Sequence, residues 1–237
     1  MIMPPKDEQE RLKQQVARQA LEYVHDGMLL GLGSGSTTSY FVNMLGERIK
    51  SGAVRDVVGV PTSEGMADQA RALGIPLTSL AEHPVLDLVV DGADEVDGDL
   101  NLIKGLGRAL LREKIVEAHT DRFLVIVDET KLVPRLGTHV PLPVEVARFE
   151  AEIHVPWLRD LGCRVEWDRL EDGSRVVTDN GNYVLHCWFA DGIQDPHHLA
   201  RTLSDRPGIL EHGLFLHMAT EALVAAPEGV RRLTPEG

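Results

Sequence analysis

Between Asp7 and Asp26, apolar residues recur at helical spacing. Leu12, Val16, Ala20, Leu21 and Val24 share one face, with charges between them, which predicts a helix over 7–26 stopped by Gly27. Residues 28–32 run apolar and predict a short buried strand, followed by Gly33-Ser34-Gly35. Ser36-Thr37-Thr38 then opens a second helix reaching about Lys50. The alternation continues: strand 54–60, helix 63–73 ending at Gly74, strand 86–90, helix 108–118, strand 123–127. Strands that are continuous in apolar residues and alternate with helices indicate a mostly parallel sheet covered on both faces, a Rossmann-like α/β architecture.

The pattern changes near Leu136. Residues 144–146, 163–167, 175–178 and 183–188 read as half-buried antiparallel strands, with Asp179-Asn180-Gly181-Asn182 as a hairpin turn between the last two. Helical stretches near 150–161 and 195–204 accompany them. These features predict a smaller α+β unit over 136–212. Residues 214–216 and 222–225 return to the first type, so the main domain is expected to comprise 1–135 plus 213–237.

Length and composition narrow the class. The chain has 237 residues, 43% hydrophobic and 26% charged, the balance of an ordinary globular protein. Its longest apolar runs fall far short of a membrane span, and the charged N-terminus MIMPPKDEQERLKQQ lacks the apolar core of a secretory signal. Cys163 and Cys187 cannot build a disulfide framework, which fits a reducing cytoplasm. The formal charge of −13 repels phosphodiester backbones and argues against general nucleic-acid binding. It leaves room for a small phosphorylated ligand, because a few local cations and N–H groups suffice for one phosphate.

Four stretches could carry chemistry. Gly31-Leu32-Gly33-Ser34-Gly35-Ser36-Thr37-Thr38 joins a strand to a helix, and its exposed N–H groups and hydroxyls suit an anion. It matches neither the dinucleotide fingerprint, since Ser36 replaces the third glycine, nor the P-loop, since no lysine follows. A tight turn with a serine cap is the plainer reading. Asp91-Gly92-Ala93-Asp94-Glu95-Val96-Asp97-Gly98-Asp99 follows a buried strand, where open α/β sheets bind ligands. It does not fit a calcium loop. Asp91 and Asp94 are the candidates; Glu95, Asp97 and Asp99 read as a solvated acidic turn. Lys104-Gly105-Leu106-Gly107-Arg108 puts a lysine on a loop, with Glu113 one and a half turns into the next helix. Lys131 follows the last buried strand of this half. No histidine or cysteine set has the spacing of a metal site, and no GxSxG elbow is present.

These four stretches, in this order, resemble type A ribose-5-phosphate isomerase. Val60-Pro61-Thr62-Ser63, Gly74-Ile75-Pro76-Leu77, Pro141-Leu142-Pro143-Val144-Glu145-Val146 and Val177-Thr178-Asp179-Asn180-Gly181-Asn182 extend the likeness to roughly residues 9–230. Within it, DGADE and KGxG…REK are the specific motifs. The resemblance implies interconversion of ribose 5-phosphate and ribulose 5-phosphate in the pentose phosphate pathway, without metal or organic cofactor. It also implies a cytoplasmic homodimer or homotetramer assembled with help from the smaller domain.

Carried over by position, Glu113 matches the family's general base, Asp91 and Asp94 its active-site aspartates, and Lys104 its catalytic-loop lysine. Gly33, Ser34, Gly35, Ser36, Thr37, Gly105, Gly107 and Lys131 match substrate-binding positions, and Lys13 a phosphate-side lysine. Asp91 is the expected participant in opening the furanose ring. Two departures stand out: Leu106 and Arg108 interrupt a loop often richer in glycine, and Ser34 replaces a common threonine. The competing readings are another sugar-phosphate isomerase or lactonase of the same fold, and a non-catalytic sugar-phosphate sensor.

Overall fold

The protein is described by a computed structural model covering residues 6–235. Residues 1–5 and 236–237 of the expected main domain therefore lie outside the described residues. The first helix, α1 (Lys6–Ala20), is followed by a 3-10 turn at Leu21–Tyr23 rather than running on to residue 26. Next come β1 (Leu29–Leu32), α2 (Ser36–Lys50), β2 (Val58–Pro61), α3 (Glu64–Ala72), β3 (Leu88–Asp91), β4 (Glu95–Val96), β5 (Leu102–Ile103), α4 (Leu110–Glu117) and β6 (Phe123–Asp128). Beyond them lie β7 (Leu142–Val146), α5 (His154–Asp160), β8 (Arg164–Trp167), β9 (Tyr183–Trp188), α6 (Pro196–Ser204), β10 (Ile209–His212), β11 (Leu214–Phe215), β12 (Glu221–Ala226) and β13 (Gly229–Leu233).

The main sheet has the order β13-β12-β6-β3-β1-β2 and is parallel except for its edge strand β13. Successive side chains of a strand point to opposite faces, and β6 shows the consequence. Its Leu124 and Ile126 enter the core beneath α1 and α2, with Leu12, Val16, Phe41 and Leu45. Its Phe123, Val125 and Val127 enter the opposite core with Leu110 and Val116 of α4. Both faces are covered, which is why these strands read as unbroken apolar runs. The chain leaves β1 toward β2 on one side and returns through β3 on the other. The carboxyl ends of β1 and β3 thus form a topological switch point, where such sheets bind ligands.

A second, antiparallel sheet has the order β10-β7-β9-β8 and packs on α5 and α6 through Leu142, Val144, Leu158, Leu185, Leu199 and Leu203. A third sheet of three short strands, β11-β5-β4, which the sequence pattern does not predict, sends Ile103 and Leu214 into this core and Val96, Leu102 and Phe215 into the core beneath α4. Of the expected stretch 214–216, Leu214 and Phe215 belong to this third sheet and not to the main sheet, because they pair with Ile103 and Leu102. The edge strand β13 was also not foreseen.

Three further expected elements differ. Val54 and Val57 are buried, but Asp56 sits at φ 57°, so the chain turns there and β2 begins only at Val58. Residues 175–178 form no strand; only Arg175 bridges, to Arg169. The reason is the buried Glu145, whose Oε1 accepts from Thr178 at 2.8 Å, Asn180 at 3.1 Å and Asn182 at 2.8 Å. The loop curls around this carboxylate instead of extending. The helix expected at 108 starts at Leu110, because Arg108 adopts a left-handed conformation at φ 70°.

Candidate active site

The switch point is crowded by design of its smallest residue. A Cβ on Gly33 would lie 2.0 Å from Asp91 Cγ, so glycine is required for β1 and β3 to meet here. The Gly33 N–H donates to Val90 O at 3.0 Å, so this glycine shapes the site and does not offer its amide to a ligand. Asp91, ending β3, is fully buried. Its Oδ1 accepts from the Gly92 N–H at 2.6 Å and the Thr38 hydroxyl at 3.2 Å.

Lys104 leaves the end of β5 and is itself buried. Its Nζ donates to Gly92 O at 2.6 Å and stands 2.9 Å from Asp91 Oδ2, 3.4 Å from Glu117 Oε1 and 3.5 Å from Glu113 Oε2. Burial opposes its charge, yet Asp91, Glu113 and Glu117 outweigh that, and its pKa lies well above the ordinary lysine value. Glu113 and Glu117 are one turn apart on α4, hence on one face. Burial pushes the Glu113 carboxyl up to about 8; Lys104 opposes the rise, and Asp91 and Asp94 add to it. Glu117 was not singled out from the sequence. The signal was available in its i+4 relation to Glu113, but the same pattern is common on solvated helix faces.

A cleft of about 540 Å³ opens in front of this cluster. Lys104, Glu113 and Asp94 line it, as do Gly105, Gly107, Ser34, Gly35, Ser36, Thr37, Lys13 and Lys131. Asp91 and Gly33 do not; they sit one layer back. Asp91 meets the cleft through two lining residues, Lys104 and Thr38. Asp94 accepts from the Leu106 N–H at 3.0 Å, tying the acidic turn to the lysine loop, and burial raises its pKa. Gly105 is at φ 108°, and a Cβ there would meet Leu110 Cβ at 2.8 Å.

The start of α2 faces the same cleft. Its cap, Gly35, has φ 116° and no side chain satisfies the first amides of the helix, so the serine-capped-turn reading does not apply. Those amides and the dipole of the helix favour an anion. The Ser34 hydroxyl bonds Thr62 at 2.8 Å and Ser63 at 2.7 Å, bracing the loop against the start of α3.

Several cleft residues escaped the sequence reading. Asp128, Thr130, His139 and Val140 line it, and Asp128 Oδ1 accepts from the Thr130 N–H at 2.9 Å. Glu95, read as part of a solvated turn, is fully buried. It accepts the N–H groups of Gly137, His139 and Val140, and so holds that segment against the cleft. Buried amides need an acceptor, and a carboxylate can serve several. Arg108, whose charge stood next to the lysine loop in sequence, turns away. It forms a two-pronged ion pair with Asp168, at 2.8 and 3.1 Å, after the end of β8.

No group of three or more histidine, cysteine, aspartate or glutamate side chains among the described residues is arranged to hold a metal ion. No helix among them is long and apolar enough to cross a membrane.

Comparison with known proteins agrees with this geometry. Residues 58–229 match the family model of ribose 5-phosphate isomerase A (phosphoriboisomerase A). The ribose-5-phosphate isomerase A of Gloeobacter violaceus is 50% identical over 225 residues, covering 94% of this chain and 96% of the relative. A probable chloroplastic ribose-5-phosphate isomerase of Arabidopsis thaliana is 45% identical, covering 95% and 84%. Among solved structures, ribose 5-phosphate isomerase from Plasmodium falciparum superposes with a TM-score of 0.92 at 37% identity, covering 96% of this chain and all of that one. A D-ribose-5-phosphate isomerase solved in complex with phospho-erythronic acid also gives 0.92, at 41% identity and 95% and 98% coverage. With a matching family model over most of its length and relatives near half identity end to end, the chain belongs to the ribose 5-phosphate isomerase A family.

Proposed function

We propose that the cleft interconverts ribose 5-phosphate and ribulose 5-phosphate through an enediolate, as the names of its relatives indicate. The observation that carries this reading is the shared cleft. A buried carboxylate, Glu113, and a buried cation, Lys104, face the same space as the uncapped start of α2 and the lysines Lys13 and Lys131. Base, oxyanion partner and phosphate anchor are thereby within one small-molecule site.

The chemistry follows from those groups. Glu113 takes the proton from C2 of the open-chain aldose and returns it to C1. A single carboxylate can do both, since the proton stays with it between the two transfers. Its raised pKa brings it near the working pH, where a base is strong yet still ionised in part. Lys104 stabilises the oxyanion that develops beside the reacting carbons. Because three carboxyl groups and Gly92 O already fix Lys104, it needs no reorganisation when that charge appears. Asp94, in the cleft and with a raised pKa, exchanges protons with the sugar hydroxyls during ring opening. Asp91 acts from behind, by orienting Lys104. The phosphate binds at Gly35, Ser36 and Thr37 with Lys13 and Lys131. Its binding energy is remote from the reacting carbons and is available to orient them. The phospho-erythronic acid bound by a related isomerase pairs a phosphate with a carboxylate. A planar carboxylate of that kind has the shape and charge of the enediolate end.

The reading extends to a place in the pentose phosphate pathway, to the cytoplasm, and to a homodimer or homotetramer in which residues 136–212 supply contacts. A competing amino-sugar-phosphate isomerase would release ammonia; no observation favours it. The deciding experiment follows ribulose 5-phosphate formation by purified protein after exhaustive chelation. Full activity with added EDTA is expected. Loss on chelation, restored by one divalent ion, would overturn the metal-free assignment.

A further inference from the structure

The charge count around Lys104 does not balance. Three carboxyl groups, Asp91, Glu113 and Glu117, surround one ammonium, and all four side chains are at most 4% exposed. Fully ionised, the cluster would bury two excess negative charges, which is far costlier than protonating a member. The donors are equally short. Lys104 spends a hydrogen bond on Gly92 O. Asp91 Oδ2, Glu113 Oε2 and both Glu117 oxygens are buried without a well-aligned hydrogen-bond donor. A proton held on one of the carboxyl groups relieves both the charge excess and the shortage of donors.

Geometry distinguishes where. Glu113 lines the cleft and trades its proton with substrate, so whenever it is ionised as the base the retained proton must sit on another carboxyl group. Asp91 already receives the Gly92 amide and the Thr38 hydroxyl on one oxygen and faces Lys104 with the other. Glu117 does not line the cleft, receives no hydrogen bond on either oxygen, and lies within hydrogen-bonding reach of Asp91. Its remaining charged neighbours are Lys104, Glu113 and, on its own helix, Lys114, which is neutralised by Glu211 at 2.6 Å.

We propose that Glu117 is the resident proton carrier of this site: it stays neutral through turnover, donates its hydrogen to Asp91, and so permits Glu113 to ionise beside Lys104. This rests on the isomerase reading and assigns Glu117 a positioning role, since it touches no substrate. Burial, followed by the charges of Asp91 and Glu113, raises its pKa well above the ordinary glutamate value despite Lys104. Without that proton, a third negative charge would push the Glu113 carboxyl further up and remove the base at neutral pH. The pair divides the work: one carboxyl keeps its proton, the other trades it.

The test compares wild type with Glu117→Gln in two ways. Infrared difference spectroscopy at neutral pH, in the absence of substrate, reads the protonation state directly. A protonated-carboxyl C=O stretch present in wild type and lost in Glu117→Gln supports the proposal; loss of a carboxylate stretch instead overturns it. The pH profile of kcat/KM reads the consequence. Glutamine mimics the neutral acid and still donates to Asp91. The acid limb should therefore stay in place and kcat fall no more than about threefold, small beside the ~10²–10⁴-fold loss of a true base. An acid limb moved down by about one unit means that wild-type Glu117 was ionised and repelling Glu113, and it overturns the proposal. Should the glutamine variant not fold, Glu117→Met replaces one neutral side chain by another, and the same acid limb is expected. Failure of wild-type protein to turn over ribose 5-phosphate would sink the isomerase reading alone, because the infrared result does not depend on activity.

Discussion

Lys104 Nζ stands 2.9 Å from Asp91 Oδ2, and neither side chain is more than 3% exposed. The cation of the site is therefore positioned from behind, by the end of β3, before any ligand arrives. Asp91→Asn keeps the shape but removes the charge that orients Lys104. Preorganised oxyanion partners are worth roughly 10²–10³ in kcat, and a loss of that order is expected. KM should change little, because Asp91 does not line the cleft. Steady-state kinetics decide: a raised KM with unchanged kcat would mean that Asp91 meets the sugar itself.

Glu113 couples activity to stability. Glu113→Gln should lower kcat by about 10²–10⁴, since an amide cannot accept a carbon-bound proton. In wild type, kcat/KM should rise with pH toward the Glu113 value of about 8, as the base ionises. The same raised value costs stability. Between the ordinary 4.5 and about 8, the unfolded chain releases a proton that the folded chain keeps. Native stability from this group is thus fully present below pH 4.5 and is lost as pH rises through that window. Glu113→Gln should melt higher than wild type, by a margin that widens from pH 5 to pH 8 and reaches on the order of a few kcal/mol. Thermal unfolding at both pH values checks the sign.

The Arg108–Asp168 ion pair spans the lysine loop and the second sheet. Arg108 holds a left-handed backbone, φ 70°, that ordinarily suits glycine, and its N–H donates to Gly105 O at 2.9 Å. The pair offsets that strain and fixes Leu106, whose amide binds Asp94. Asp168→Ala should raise KM and lower kcat together, by about tenfold in kcat/KM, as expected when a positioning contact is lost. Arg108→Gly should lose less, since glycine relieves the strain while losing the ion pair. Equal losses in the two variants would show that the backbone conformation is not what the pair protects.

Much of this was legible in the chain itself, and the misses have physical causes. The parallel sheet was readable because strands buried on both faces leave continuous apolar runs, as at residues 123–127. Lys104 and Asp94 stand out in the sequence beside glycines and a strand end, whereas Glu113, between Arg112 and Lys114 inside a helix, is singled out only by the family resemblance. Glu95, Glu145 and Glu117 were not readable, because their burial is created by segments far away in sequence. Gly137–Val140 closes over Glu95, and the 178–182 loop folds onto Glu145. A buried carboxylate looks the same in sequence as a solvated one. At 175–182 the turn signal holds, with the Thr178 N–H donating to Asn182 O at 2.9 Å, but the side chains of Thr178, Asn180 and Asn182 draw the segment onto Glu145 and no strand forms over 175–178.

The phosphate cradle yields the last prediction. The start of α2 presents amides that no side chain caps, at the mouth of a cleft that also holds Lys13 and Lys131. With a formal charge of −13, the protein's overall field repels a dianion, so these local donors must supply the attraction. The Ser36 and Thr37 hydroxyls add to amides that remain in any variant. Ser36→Ala with Thr37→Ala should therefore raise KM for ribose 5-phosphate by about tenfold, the effect of roughly one net hydrogen bond to a charged group. Inorganic phosphate should compete with substrate in wild type, and the double variant should need about tenfold more of it for the same inhibition. The kcat should change less, since the phosphate is remote from the reacting carbons. Equal inhibition of both proteins by phosphate would place the anchor elsewhere in the cleft, with Lys13 and Lys131 acting without the loop.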